Sequence, residues 1–486
     1  MTKLTHFHGG LKLAPHTLLA PIIDSSLPEE LVYPLLQRAN NYALLIVKLG
    51  ERVLKGQMIA SANSPFTAPI HAASSGIVKA IEARIIAHPS NLADDCIVIT
   101  TDGLDEALAS SPCFDYQQET PEDLRAKIHH AGIVGLGGAA FPTATKLSTE
   151  QDIHTLIING AECEPYISCD ASLILQKAEE IVQGALILQY ILQAKHCIIA
   201  LEENMLQAAQ ALQKVINTQS IQLISVPAIY PTGGEKQLIQ VLTNTKIPAK
   251  SLPAESGFIC QNIGTTYAVY QAIIQGLPLT ERIITVTGKG INQPQNIRTR
   301  IGTPIKHLIT QSGGYSKDVQ RLIIGGSMMG IALSSDEIAV TKASNCILAM
   351  TSDKLENKPA EMPCIRCGDC ATVCPAELLP QQIYWYGRSE QLDQCQDYQL
   401  FSCIECGCCD VVCPSHISLV QQFRATKGAI IIKAKQAEQA NLAKTRFQNQ
   451  QQRRAKEEQE QLAKAEKRKA TIEKMKAASL AKKKSL

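Results

Sequence analysis

Residues 154–160, "HTLIING", and residues 196–203, "HCIIALEE", are short apolar runs that end in polar residues. Between them lies a helix-length stretch, "LILQKAEEIVQGALILQYILQA", at 173–194. Strand-length runs alternating with helical stretches indicate a parallel α/β sheet. The pattern extends from 116 to 280. In open α/β sheets ligands sit beyond the carboxyl ends of the strands. The polar turns after these runs are therefore the first places to look for a site. "IINGAECEPYISCD" places Asn159, Glu162 and Glu164 after one strand. "YPTGGEKQL" places Gly233, Gly234 and Glu235 at a second strand-to-helix turn, and "ICQNIGTTYA" places Asn262 and Thr265 at a third. Upstream, "GIVGLGGAAFPTATK" (132–146) packs Gly132, Gly135, Gly137 and Gly138 into one loop followed by Lys146. Closely spaced glycines let backbone N–H groups approach a phosphate, and the lysine supplies a counter-charge. The loop fits neither GxGxxG nor a Walker A motif, so by itself it reads equally well as a tight turn.

Toward the N-terminus (1–115), "ALLIVKLGERVLKGQMI" and "APIHAASSGIVKAIEARI" are alternating runs split by turn residues, hence strands. Their pairing resembles the barrel-sandwich hybrid of lipoyl and biotinyl domains. Those carriers need an exposed hairpin lysine, and no Lys occurs between Lys55 and Lys79. A structural β-module is the expectation. Toward the C-terminus (281–345), "ERIITVTGKGINQPQNIRTRIGTPIKHLITQSGG" gives strand, turn, strand and a short helix, a β-grasp-like module. "VQRLIIGGSMMGIAL" follows as a strand ending in a glycine turn.

From 346 to 428 the chain writes one pattern twice. "CIRCGDCATVCP" begins at Cys364 and "CIECGCCDVVCP" at Cys403, 39 residues later. Each is Cys-x2-Cys-x2-Cys-x3-Cys-Pro. As in two-cluster ferredoxins, the fourth Cys of each run is expected to serve the other run's [4Fe–4S] cluster. One cluster takes Cys364, Cys367, Cys370 and Cys413. The other takes Cys403, Cys406, Cys409 and Cys374. Zinc also accepts four thiolates, usually as separate Cys-x2-Cys pairs, a poor fit to two full runs that each end in Pro. Cys408, Cys395 and the seven cysteines before residue 350 read as small buried hydrophobes.

The chain has 486 residues, 17 of them Cys, and a net charge of +2. Clustered thiols in a large chain indicate metal ligands in a reducing compartment rather than disulfides. The start, "MTKLTHFHGG", has no apolar core of a secretory signal, and no window is long and apolar enough for a membrane span. Residues 427–486 hold 17 Lys/Arg against 6 Asp/Glu, leaving the preceding 426 residues at −9. This segment (429–486 as a unit) has no Gly or Pro past 428 and one aromatic, Phe447. It is expected to form a long polar helix or stay partly disordered, without nucleic-acid binding.

Together "GIVGLGGAAFPTATK", "NGAECEP", "GGEKQL" and "NIGT" resemble the FMN- and NADH-binding motifs of the flavoprotein subunit of respiratory complex I. They resemble more closely the C subunit of the Rnf-type ion-translocating electron transport complex, with parts in the same order over about residues 5–425. The resemblance implies a multidomain α/β protein: an N-terminal barrel-sandwich hybrid, a Rossmann-like FMN/NADH domain, a β-grasp (SLBB) module, a mostly helical two-cluster ferredoxin domain and a polar helical tail. It implies that Gly135, Gly137, Gly138 and Lys146 hold the FMN phosphate side. Asn159, Glu162 and Glu164 line the flavin and nicotinamide pocket, Phe141 stacks on the dinucleotide, and Gly234, Glu235 and Asn262 complete the wall. No proton-transfer residue is named, because the cofactors carry the chemistry. Ala161 stands where complex I flavoproteins carry Asp, Cys163 replaces a Gly, and Ser327 replaces the family's Pro. The implied activity is that of an NADH-linked oxidoreductase subunit, of ferredoxin:NAD+ type, passing electrons between NAD(H), FMN and two [4Fe–4S] clusters. Its partners would be the membrane subunits of an Rnf-like complex and a ferredoxin-like subunit. Its place would be peripheral, on the cytoplasmic side of the bacterial inner membrane, with coupling to Na+ or H+ movement. A soluble diaphorase subunit of a hydrogenase or formate dehydrogenase, or a non-enzymatic electron-wire protein, are the alternatives.

Overall fold

The computed structural model describes residues 4–14, 20–38, 41–316, 318–352 and 360–483. They fall into two compact units. The first holds residues 1–382 and 402–420, and the second holds residues 383–401 and 421–486.

In the first unit the α/β domain is a four-stranded sheet in the order Ile221–Val226, His196–Glu202, Thr155–Gly160, Phe258–Asn262. All neighbours are parallel. Leu156, Ile157, Ile158 and Ile199 are fully buried. Helices cover both faces of such a sheet, so its strands read as continuous apolar runs rather than alternating ones. The long stretch forms a helix over Cys169–Leu192. It lies so close to the Ile263–Ile274 helix that a Cβ on Gly184 would meet the Thr266 carbonyl oxygen at 2.2 Å. In chain order the strands run 3-2-1-4. The topological switch point, where open sheets bind ligands, therefore falls between Thr155–Gly160 and Phe258–Asn262.

Ahead of this domain, Glu30–Pro34, Ala93–Thr101, Gly76–Ile85 and Arg52–Val53 form an antiparallel sheet, and Leu44–Leu45, Met58–Ser61 and Ile70–His71 a second. Leu31, Tyr33, Val53, Ile59, Val78 and Ile99 fill a shared core. After the α/β domain, Glu281–Thr287, Gln295–Arg300 and the Ile305–Gln311 helix match the strand, strand and helix expected of the β-grasp module. That sheet has six strands, and two come from outside 281–345. Ile22–Asp24 adds one edge, and Cys346–Thr351 inserts between Glu281–Thr287 and Val319–Ile324. The boundary set at 345/346 therefore cuts a sheet. Residues 346–351 belong with the preceding module because Ile347 and Ala349 are buried in its core.

The two cysteine runs are copies of one backbone. Left-handed residues recur at the 39-residue shift: Arg366 and Glu405, Gly368 and Gly407, Glu377 and His416. Each loop enters a single helical turn, Asp369–Thr372 or Cys408–Val411.

In the second unit Tyr386 lies 5.2 Å from Tyr398 between ring centres, and Cys395 is buried as expected. The helix Leu419–Lys483 runs through it to the end of the described chain. It begins ten residues before the tail's sequence boundary at 429, and residues 431–479 are exposed. No described helix is long and apolar enough to cross a membrane. Because these exposed turns bury nothing of their own, deleting residues 435–486 is expected to leave flavin content and NADH–acceptor activity unchanged. A large loss of flavin in the truncated chain would overturn that assignment of the tail.

Candidate functional site

The glycine loop sits at the switch point. Gly135 N–H donates to the Phe141 carbonyl at 2.8 Å, and Ala140 N–H donates back to the Gly135 carbonyl at 3.0 Å. Leu136 N–H donates to Thr265 Oγ1 at 2.8 Å, fastening the loop to the helix that follows the fourth strand. A Cβ on Gly137 would rest 3.4 Å from Asn262. Gly138 is left-handed (φ +102°) with open space where a side chain would be. At Gly138 the loop thus presents bare backbone to open space.

Asn159 and Asn262 are partners in register at the carboxyl ends of neighbouring strands. Each closes a turn. Asn159 Nδ2 donates to the Gly233 carbonyl at 2.8 Å and its Oδ1 accepts from Ala161 N–H at 3.0 Å. Asn262 Oδ1 accepts from Thr265 N–H at 3.3 Å, capping the Ile263–Ile274 helix, while its Nδ2 donates to Asp170 Oδ2 at 2.5 Å. Gly234 is the residue before the Glu235–Thr243 helix. A Cβ on Gly233 would meet the Ala161 carbonyl oxygen at 2.5 Å, so the "TGG" and "NGAE" turns touch backbone to backbone.

The acids divide by role. Glu162 accepts from Asp170 N–H at 3.0 Å and Ala171 N–H at 3.1 Å, across the start of the Cys169–Leu192 helix. Burial, with Asp170 close by, pushes its carboxyl well above the usual range. Burial raises Asp170 as well, against the pull of Asn262 and Arg282. Glu164 takes its hydrogen bonds from a different segment. It accepts from Met328 N–H at 3.1 Å and Met329 N–H at 2.8 Å, holding the "GGSMMG" turn. Lys146 is not a free cation: its Nζ donates to Glu235 Oε1 and to the Cys260 carbonyl, both at 2.6 Å. Phe141 lies edge-on to Phe66, 6.3 Å between centres.

Asp170, Tyr230, Glu202 and Arg282 belong to the site and were not singled out in the sequence. Glu202 ends the second strand and is 5% exposed, with one carboxylate oxygen lacking a hydrogen-bond partner. It lines a small crevice of about 30 Å³ with Glu162, Glu164, Asn204 and Tyr230. Its position at the carboxyl end of "HCIIALEE" was the available signal. Arg282, fully buried, reaches from the next module to donate Nη2 to the Leu136 carbonyl at 3.1 Å and Nη1 to the Lys342 carbonyl. Nothing local in "ERIITVT" marks it.

Burial raises Glu202 to about 7. A carboxyl whose folded value exceeds its unfolded value near 4.5 gives stability that is full below the unfolded value and lost as pH rises. The cofactor-free chain should therefore lose up to about 3 kcal/mol between pH 4.5 and 7 through this group. Glu202→Gln should flatten that slope in urea titrations taken across the window. An unchanged slope would show that Glu202 is already ionised in the fold.

The thiols form a second site. Cys370 lies beside Cys367 and Cys364, whereas Cys409 lies beside Cys403, Cys406 and Cys374. Arg366 N–H donates to Cys364 Sγ and Glu405 N–H to Cys403 Sγ, both at 3.4 Å, at equivalent positions of the repeat. Backbone donors aimed at sulfur, in an all-thiol set on two copied loops, suit iron–sulfur clusters. Cys408 is fully buried, packed with Tyr230 and Cys406. Cys96, Cys169, Cys197, Cys260 and Cys346 are buried as expected, but Cys113 and Cys163 are not wholly enclosed. Cys163 lines the Glu202 crevice, so "small buried hydrophobe" does not describe it.

The fold is thus a β-module, a parallel α/β domain with a glycine loop at its switch point, and a sheet module, with the paired thiol loops beside them. Residues 5–104 match a family model described as the RnfC barrel sandwich hybrid domain, 128–271 the Nuo51 FMN-binding domain, and 283–332 the SLBB domain. The chain is 45% identical over 93% of its length to the C subunit of the ion-translocating oxidoreductase complex of Vibrio cholerae serotype O1, and 42% over 93% to that of Pectobacterium atrosepticum. It is thus similar to ion-translocating oxidoreductase C subunits over most of its own length. It spans 59% and 66% of the length of those two relatives. Among solved structures, a NAD+-reducing [NiFe]-hydrogenase overlaps 65% of each chain at 16% identity, with a TM-score of 0.46.

Proposed function

We propose that the chain is the NADH-linked input subunit of an Rnf-like, membrane-bound electron transport complex. It would work on the cytoplasmic side of the bacterial inner membrane as a peripheral subunit, with membrane subunits and a ferredoxin-like subunit as partners. When bound, FMN supplies two-electron exchange with NAD(H), and two [4Fe–4S] clusters supply one-electron relay.

The observation that carries this reading is one compact unit holding both a glycine loop at a sheet switch point and two copied four-cysteine loops. The residues' tasks follow from their chemistry. Gly135, Gly137 and Gly138 leave backbone accessible, and Lys146 would serve a phosphate only by exchanging its Glu235 partner for it. Asn159, Asn262 and Gly234 fix the turns that shape the crevice wall, with Phe141 at the loop's far side. Glu162 and Glu202 supply acceptors for hydroxyl and amide donors. Glu164 fixes the turn of the neighbouring module behind them. Cys364, Cys367, Cys370 and Cys413 would hold one cluster, and Cys374, Cys403, Cys406 and Cys409 the other. The parts are 1–115, 116–280, 281–351, the cysteine region to 428, and the tail 429–486. Ion coupling would reside in the membrane partners.

Anaerobic analysis of the purified chain tests this. About eight iron and one FMN per chain are expected from the ligand count, with flavin bleaching on addition of NADH. Zinc in the thiol sites, or colourless protein prepared without oxygen, would overturn it.

A further inference from the structure

The two thiol sets are not equivalent. Three of one set, Cys374, Cys406 and Cys409, are buried and its Cys403 is partly exposed, whereas Cys364, Cys370 and Cys413 are all partly exposed and Cys367 is open to solvent. Around the open set Met362, Ile365 and Val411 are exposed as well.

The buried set is also the one tied to the flavin-type domain. Tyr230 Oη donates to the Cys406 carbonyl at 2.7 Å. His8 Nδ1 donates to the Cys374 carbonyl at 2.9 Å. Gly10 N–H donates to the Val373 carbonyl at 3.0 Å, and Gln237 Nε2 to the Pro375 carbonyl at 3.4 Å. Leu11 and Tyr230 exchange two backbone hydrogen bonds of 2.8 Å, so the N-terminal strap and the Tyr230 loop grip these loops together. Tyr230 is 3% exposed. It lines the Glu162–Glu202 crevice while its hydroxyl reaches a ligand-bearing residue, with Cys163, Met328 and Cys408 packed around it. None of the hydrogen bonds made by this strap or this loop ends on Cys364, Cys367, Cys370 or Cys413 among the described residues.

We propose that the Cys374/Cys403/Cys406/Cys409 set is the inner relay, exchanging electrons directly with the α/β domain that carries the glycine loop, and that the Cys364/Cys367/Cys370/Cys413 set is the outer terminal facing the next one-electron carrier. Tyr230 is the positioning residue that fixes the inner set against the crevice. This order rests on the function proposed above. A hydride from NADH brings two electrons and leaves NAD+. Two one-electron transfers then reduce the inner and, through it, the outer cluster, and the flavin's proton goes to solvent. Rates of transfer depend steeply on how closely donor and acceptor are held, which gives the tight contact its importance.

Chains carrying one cluster each separate the possibilities. Cys403→Ala leaves only the outer set and Cys367→Ala only the inner, both prepared anaerobically and checked for iron and for a paramagnetic signal with dithionite. With NADH and rapid freezing, the Cys403→Ala signal should form at least about tenfold more slowly than the Cys367→Ala signal. Tyr230→Phe in the otherwise unaltered chain should slow cluster reduction by NADH and leave dithionite reduction unaffected. In the unaltered chain, a chelator should strip iron from the outer set first, so the surviving signal should match that of Cys367→Ala. Equal or reversed rates, or stripping of the inner set first, would overturn the order. Signals with dithionite but none with NADH in the unaltered chain would instead overturn the proposed function.

Discussion

Arg282→Met should destabilise the folded chain by about 3–5 kcal/mol, the cost of removing one partner from a buried charge cluster. The guanidinium is fully enclosed, and its pKa is lowered by burial only to about 10, so it stays charged. It offsets Asp170, which shares the first turn of the Cys169–Leu192 helix with the Glu162 contacts. It also satisfies the Leu136 carbonyl inside the glycine loop. Methionine keeps much of the apolar stem but leaves the Leu136 and Lys342 carbonyls without this donor and Asp170 without the neighbouring positive charge. The loss carries a pH signature. Without the guanidinium, the Asp170 carboxyl would be raised further, so the variant's deficit should shrink as pH falls and that group is neutralised. Urea unfolding at two pH values measures both. A deficit under about 1 kcal/mol, or one indifferent to pH, would show that another group compensates Asp170.

Cys374→Ala should halve the iron, from about eight to about four per chain, and the cluster lost should be that of the second run. Sequence order places Cys374 in the first run. In the fold Cys374 lies beside Cys406 and Cys409 of the second run. The variant's spectrum should therefore match that of Cys403→Ala and differ from that of Cys364→Ala. If Cys374→Ala instead matches Cys364→Ala, each run holds its own cluster and the crossed ligand set is wrong. Alanine is preferred to serine for this comparison because a hydroxyl can replace a thiolate as ligand and blur the outcome.

The parallel strands, the glycine loop and the repeated thiol loops were legible in the residues because each depends on local order. Four to seven apolar residues bounded by polar ones make a strand wherever they sit. Cysteines at fixed short spacing converge whatever surrounds them, as the repeated left-handed positions at Arg366 and Glu405 illustrate. Chain order alone also places Asn159, Glu162 and Asn262 at the carboxyl ends of strands. Pairing between distant segments is different in kind, because no spacing rule links one side chain to a partner a hundred residues away. Lys146 meets Glu235 instead of standing free, Glu164 serves the Met328–Met329 turn, and Cys346–Thr351 completes a sheet begun at residue 281. The tertiary structure likewise selected Glu202, Arg282 and Tyr230. What distinguishes them is exclusion from water beside a particular neighbour, a property of packing rather than of sequence.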